Sequence, residues 1–292
     1  MTSKTARLSM LVFSMLALAA CSPFTIINGA VDDDAFTVRS GIPYGPNKRN
    51  ALDVYVPKQR SGPMPVVVFF YGGSWKRGDR ANYLFAADAL ANRGYLAILP
   101  DYRVYPKVRF PAFVEDGAKA VRWALEHAAE FGGDPDRLYL MGHSAGAHIA
   151  TMLTLDERYL ATEGVSAKRI RGTIALAGPY AFYPSRTRSI APIFDHLSDE
   201  NAARPITFVD GDEAPLLLIH GEDDKIVRAT NTVALSKAVR DAGGRVRQII
   251  YPDVGHVGVV SALSRSFRDV APVLRDTSAF IDGLGEPSAV GR

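Results

Sequence analysis

Leu138-Tyr-Leu-Met-Gly-His-Ser-Ala-Gly-Ala-His148 is the stretch on which the reading of this chain turns. Arg137-Leu-Tyr-Leu-Met141 is apolar and of strand length, residues 145–155 are strong helix formers, and the chain must reverse between them within a few residues. Gly142 and Gly146 flank Ser144 in a Gly-x-Ser-x-Gly pattern. Such glycines let a strand and a helix approach with no side chain between them, which forces the central serine into a strained backbone and lifts its hydroxyl out of the fold. Because the following helix starts at the serine, free N–H groups near Ala145 face whatever oxygen sits there.

Working outward, strands and helices alternate. Residues 36–39 and 51–56 are short β-rich runs around a turn stretch at 41–47, the pattern of antiparallel opening strands. Pro65-Val-Val-Val-Phe-Phe-Tyr71 is continuously apolar and β-branched, as in a strand buried on both faces. Helices are expected over 79–93, 112–131, 145–155, 228–242 and 262–284, and strands over 95–99, 170–177, 215–220 and 245–251. This order predicts an α/β fold, a mostly parallel sheet with helices on both faces, whose site lies at the carboxyl ends of the strands. No internal repeat or low-complexity tract is visible.

The ends read differently. Lys4 and Arg7 precede an apolar run from Met10 to Ala20, too short to span a bilayer, so residues 1–20 are expected to be a signal peptide. Leu18-Ala-Ala-Cys21 resembles the bacterial lipobox, which implies lipidation of Cys21, the chain's single cysteine. Ser22 after it implies an outer-membrane destination in the cell envelope. Residues 21–35, ending in Val31-Asp-Asp-Asp34, are expected to be a solvated tether, with the globular domain over 36–292. The leader holds two basic residues and no acid. Without it the chain carries 32 basic and 31 acidic residues, a net of +1, and shows no basic patch interleaved with aromatics. Nothing argues for a nucleic-acid partner.

A serine hydroxyl needs a base to take its proton, and the base needs an acid to hold its tautomer. In a strand–turn–helix setting the order is serine, acid, histidine. Of the six histidines, His127 and His143 precede Ser144, His148 lies one helical turn past it, His196 falls in an irregular stretch, and His220 ends a strand before any acid. His256, in Tyr251-Pro-Asp-Val-Gly-His256, remains. The acid is expected after the preceding strand, in His220-Gly-Glu-Asp-Asp-Lys-Ile-Val227, with Asp224 assigned and Asp223 as the fallback. Tyr71-Gly-Gly-Ser-Trp75 follows the buried strand directly, so the amides of Gly73 and Ser74, with Ala145, are candidate oxyanion donors, although a Gly-Gly pair also makes a plain turn. Trp75 and Tyr180, with Phe182 and Tyr183, either stack on a substrate or pack the irregular 178–210 stretch onto the core. No metal or organic cofactor is required by this set.

Together these residues resemble the α/β-hydrolase superfamily, in the esterase branch of BD-FAE and hormone-sensitive-lipase-like carboxylesterases, with isoprenylcysteine methylesterase and kynurenine formamidase as relations. The motifs carrying the resemblance are Tyr71-Gly-Gly-Ser-Trp75 with Gly78-Asp79, Asp101-Tyr-Arg103, Phe110-Pro111 with Glu115-Asp116, residues 133–148, His220-Gly221 with Asp224 and Val227, and Gly255-His256. Where the family usually has His-Gly-Gly, this chain has Tyr71-Gly-Gly. The resemblance implies a serine carboxylesterase with little or no cap domain, acting on short-chain or polymer-borne esters through Ser144, His256 and Asp224. The same groups serve a formamide or peptide bond, and an inactive envelope binding protein is the alternative from outside catalysis.

Overall fold

The structure, a computed structural model, describes residues 23–285. Eight strands form one sheet: β1 (Phe36–Pro43), β2 (Ala51–Pro57), β3 (Met64–Phe70), β4 (Leu96–Pro100), β5 (Gly133–His143), β6 (Ile170–Leu176), β7 (Leu216–Gly221) and β8 (Val246–Tyr251). Their spatial order is β1-β2-β4-β3-β5-β6-β7-β8. β1 and β2 pair antiparallel, as does β2 with β4, and the other five pairings are parallel. All seven residues of β3 are buried, as its unbroken apolar run requires of a strand covered on both faces. Each fully buried Val or Phe there contributes about 1.5–3 kcal/mol relative to exposure.

Register shows how the faces are covered. Val67 pairs with Tyr139 and Phe70 with Gly142, so Tyr139 and Phe70 point to opposite faces. On the Phe70 side the helices Ala112–His127 and Ala145–Leu155 meet at Gly117, where an added Cβ would lie 2.8 Å from Ile149. On the Tyr139 side lies the helix Val273–Gly285: the Tyr139 hydroxyl donates to the Ile281 carbonyl at 3.0 Å. The helix behind Ser144 is buried on every side, and its Thr151 and Thr154 hydroxyls donate to carbonyls four residues back, at 2.9 and 2.8 Å. Among the described residues, no helix is long and apolar enough to cross a membrane.

Three expectations are corrected. Residues 262–284 are not one helix: His256–Ser261 is helical, a 3₁₀ turn follows at Arg265–Phe267, and the next helix begins only at Val273. Pro272 has no N–H to give and sets that boundary. Residues 79–93 begin as a 3₁₀ turn, Arg80–Tyr83, before the helix Leu84–Ala91. The expected tether is docked from residue 23 on: Pro23–Asn28 is a helix, Phe24 packs 5.6 Å from the Tyr83 ring, and Asn28 Oδ1 accepts from the Phe85 amide at 3.0 Å. Its acidic run is anchored too, since Arg265 binds both Asp32 and Asp88. The reading of residues 1–20 and of Cys21 falls outside the described residues.

Candidate active site

Four strands deliver the site at their carboxyl ends. β3 leads into Gly72–Trp75, β5 into Ser144, β7 into Asp224 and β8 into His256. At the end of β5 the two glycines act by steric exclusion. An added Cβ at Gly146 would lie 2.0 Å from the Phe70 carbonyl oxygen, and one at Gly142 would lie 2.3 Å from the Gly146 oxygen. Only glycine at both positions lets the helix seat on the strands, and the turn between them puts Ser144 at φ 55°, ψ −117°. Its amide is held by the Leu176 carbonyl at 2.8 Å.

Ser144 Oγ lies 2.9 Å from His256 Nε2, and His256 Nδ1 lies 2.6 Å from Asp224 Oδ2. A carboxylate facing Nδ1 makes that nitrogen the N–H donor and leaves Nε2 to accept from the serine. Asp224 Oδ1 accepts from the Ile226 and Val227 amides, both at 2.8 Å. Asp223 is exposed, and the structure brings Asp224 rather than its neighbour to His256.

A further histidine, passed over in the sequence because it precedes the acids, completes this corner. His220 is fully buried on β7; its Nε2 lies 3.1 Å from Asp224 Oδ2 and 2.7 Å from the Val227 carbonyl, while Nδ1 meets the Thr232 hydroxyl at 2.8 Å. Two acceptors at Nε2 make it the donor. Burial raises a carboxyl pKa, yet hydrogen bonds from His220 and His256 outweigh it and hold Asp224 well below the ordinary carboxylate range. The i, i+4 spacing to Asp224 was the available signal.

His143 ties the pieces together. It is buried, its Nε2 donates to the His256 carbonyl at 3.1 Å, and its Nδ1 faces the Tyr83 hydroxyl, which accepts from the Gly72 amide at 3.1 Å. Burial, reinforced by the neighbouring His256, depresses its pKa to about 3, so the ring is neutral. Burial likewise depresses His148 to about 4; its side chain donates through Nε2 to the Ala203 carbonyl at 2.9 Å and makes no hydrogen bond to Ser144, His256 or Asp224.

The loop after β3 is set by long-range contacts. Gly73 has φ 143°, and its carbonyl accepts from the Lys76 and Arg77 amides at 3.0 and 3.2 Å. Ser74 and Trp75 follow at φ 55° and 57°. The Gly73 and Ser74 amides donate to no described acceptor. Tyr71, where the resemblance leads one to expect histidine, is wholly buried and stacks on Tyr102 at 4.5 Å. Its hydroxyl accepts from Arg49 at 2.7 Å, and the same guanidinium reaches the Gly78 and Tyr102 carbonyls at 2.8 Å each. The far side of the loop is thus nailed to the opening turn of the domain.

A cavity of about 320 Å³ opens beside the serine. It is lined by Ser74, Trp75, Ser144 and Ala145, by Phe182 and Ile190, and by Ile226, Val227, Arg228, Thr230 and Asn231. Gly73 is not among its lining residues. Trp75 reaches it through a buried aromatic cluster, 5.9 Å from each of Phe113 and Phe182. Tyr180 does not reach it: the side chain is fully buried, its hydroxyl accepts from its own loop at Gly178, and Asn231 Oδ1 pins the Tyr180 and Ala181 amides at 3.1 and 3.0 Å. The substrate-facing expectation for Tyr180 is therefore corrected; Pro179 and Phe182 line the wall instead. Among the described residues no group of three or more His, Cys, Asp or Glu side chains is placed to hold a metal ion.

Against known proteins, the chain is 28% identical to a probable isoprenylcysteine alpha-carbonyl methylesterase of Arabidopsis thaliana, over 81% of this chain and 56% of that one. It is 30% identical to esterase LipQ of Mycobacterium tuberculosis, over 84% of this chain and 62% of that one. It therefore spans somewhat over half the length of these curated relatives. Among solved structures, esterase B of Lactobacillus rhamnosis superposes with a TM-score of 0.77 at 22% identity, covering 97% of this chain and 96% of that one, and shares its α/β-hydrolase fold. The BD-FAE family model matches residues 52–239, from β2 through the helix after Asp224. That match takes in the serine turn, the loop after β3 and the acid within one continuous span of more than half the chain, and the chain belongs to the BD-FAE family.

Proposed function

We propose that this protein is a serine carboxylesterase acting on esters with a short acyl or small alcohol part. The observation that carries the reading is the unbroken hydrogen-bonded series Ser144 Oγ, His256 Nε2, His256 Nδ1, Asp224 Oδ2, with spacings of 2.9 and 2.6 Å beside an open cavity. Ser144 Oγ attacks the ester carbonyl as its proton passes to His256 Nε2, and Asp224 stabilises the imidazolium. The carbonyl oxygen, now an anion, takes hydrogen bonds from the amides of Ala145 and of the Gly73–Ser74 turn. The C–O bond breaks, His256 returns the proton to the departing alkoxide, and an acyl-serine remains. Water then attacks that acyl carbon, losing its proton to His256, and the acid leaves as Ser144 recovers its hydrogen. The names of the relatives, methylesterase and esterase, favour an ester over an amide bond. A cavity of about 320 Å³ suits a short chain or one sugar ring better than a long lipid.

Hydrolysis of 4-nitrophenyl esters from acetate to laurate, with Ser144→Ala alongside, tests the reading. Turnover is expected for short chains, with about a 10⁴-fold or greater loss in the variant; failure of every ester together with no labelling by a fluorophosphonate overturns it. The lipobox reading belongs to the same proposal: only Ser22 separates Cys21 from the docked helix Pro23–Asn28, so an acyl chain there holds the domain close against the bilayer. Cys21→Ala should move the protein from the membrane to the soluble fraction.

A further inference from the structure

The cavity beside Ser144 is lined by fourteen residues, of which one is charged: Arg228. No described side chain or backbone oxygen pairs with its guanidinium, whereas Arg49, Arg80 and Arg103 are each engaged. Its backbone is fixed. The Val227 amide before it donates to Asp224 at 2.8 Å, and the Arg228 carbonyl accepts from Asn231 at the start of the helix Thr230–Asp241. The arginine therefore rides on the segment that also holds the acid of the triad. No carboxylate lines the cavity to neutralise it.

The neighbouring segment 183–195 holds Arg186, Arg188 and one acid, Asp195, which is paired with Arg109, and Lys76 donates to the Ser189 carbonyl. Glu200 is hydrogen-bonded to this segment, at the Ser185 amide, which it binds at 3.0 Å.

Resting on the esterase reading, we propose that Arg228 determines specificity, and that the preferred ester carries a carboxylate on the part that occupies this cavity. A guanidinium forks onto a carboxylate through two N–H groups, which fixes orientation as well as charge. An unpaired cation at the mouth also draws anionic substrate toward the serine. Because Arg228 is exposed to water, the gain is modest, about two- to fivefold in kcat/KM.

Two matched ester pairs test this: 4-nitrophenyl hydrogen adipate against 4-nitrophenyl hexanoate, with the anion on the acid side, and 4-acetoxybenzoate against 4-acetoxybenzamide, with it on the alcohol side. In at least one pair the anionic ester is expected to be favoured about two- to fivefold, and to lose that advantage as salt is raised from 50 to 500 mM. Arg228→Gln should bring that ratio to about one, and Arg228→Glu should invert it, with melting temperatures showing that both variants fold. Neutral esters hydrolysed as well as or better than anionic ones, or a preference that survives Arg228→Gln, overturns the inference and leaves the esterase intact. No hydrolysis of all four esters, with no fluorophosphonate labelling, removes the esterase reading and this inference with it.

Discussion

Two turns meet at Ser144, and they are built by different means. Ser144 and Ser74 both sit at φ 55°, a conformation that costs a non-glycine residue about 1–3 kcal/mol. At Ser144 the strain is imposed locally: Gly142 and Gly146 let backbone meet backbone, and the packed helix and strand leave the serine no other path. At Ser74 it is imposed from a distance. Tyr71 stacks under the loop, Gly78 folds over its ring with a would-be Cβ only 2.5 Å from it, and Arg49 bonds the Tyr71 hydroxyl and two carbonyls. One turn is a steric device written in three residues; the other is a polar anchor written in residues far apart in the chain.

The comparison is open to breakage by mutation. The largest effect is expected from Gly146→Ala, whose methyl must displace the Phe70 carbonyl: loss of more than about 4 kcal/mol of stability, or of folded protein altogether, in denaturant unfolding. Asp224→Asn is expected to leave the fold intact and lower kcat about 10⁴-fold by reversing the His256 tautomer, whereas Asp223→Asn changes kcat less than twofold; equal losses in the two would end the assignment of the acid. Arg49→Met should lower kcat by about 10–100-fold through a misplaced oxyanion loop, with burst titration showing full labelling of Ser144, because the serine turn does not depend on Arg49. If Arg49→Met and Gly146→Ala instead fail in the same way, the two turns are one cooperative unit. Tyr71→Phe, which spares the stacking and leaves the guanidinium its two carbonyls, is the smaller version, with about 1 kcal/mol lost and kcat within fivefold.

Acid provides the last test. His143 and His148 are held neutral with pKa values depressed to about 3 and 4, while the unfolded chain takes up those protons near pH 6.5. Asp224, also depressed, binds its proton more weakly in the folded state as well. At these three groups the unfolded state binds more protons over the range from about pH 4 to 6.5, so their contribution to stability falls as pH falls, by up to about 3 kcal/mol per unit. Urea midpoints between pH 4 and 8 measure this; Arg49→Met, which touches neither histidine, should leave the slope unchanged.

Most of the frame was legible because it is encoded by short-range patterns. The bounds of the helix behind Ser144 followed from composition, and β3 followed from its apolar run, since a strand covered on both faces has no polar period to disguise it. Errors fell where local preference met a distant partner. Pro23–Asn28 has weak helical periodicity of its own and is ordered by Tyr83 and Phe85. Tyr180 looked like a residue for a substrate because aromatics in loops suit both roles, and only packing under its own loop and against Asn231 decided between them.

What the sequence determined by itself was the set of candidate residues: a serine forced outward by two glycines, then an acid and a histidine in the order that parallel strands impose. Those are steric and topological constraints that act on neighbours, and they survive without knowledge of the rest. The tertiary structure alone decided which of two adjacent aspartates faces His256, that His220 and His143 pack against these groups, that Tyr71 is held by Arg49, and that Arg228 stands unpaired in the cavity beside Ser144. Each of these depends on hydrogen bonds and charges across long stretches of chain, where distance in space carries the energy and distance in sequence carries no signal.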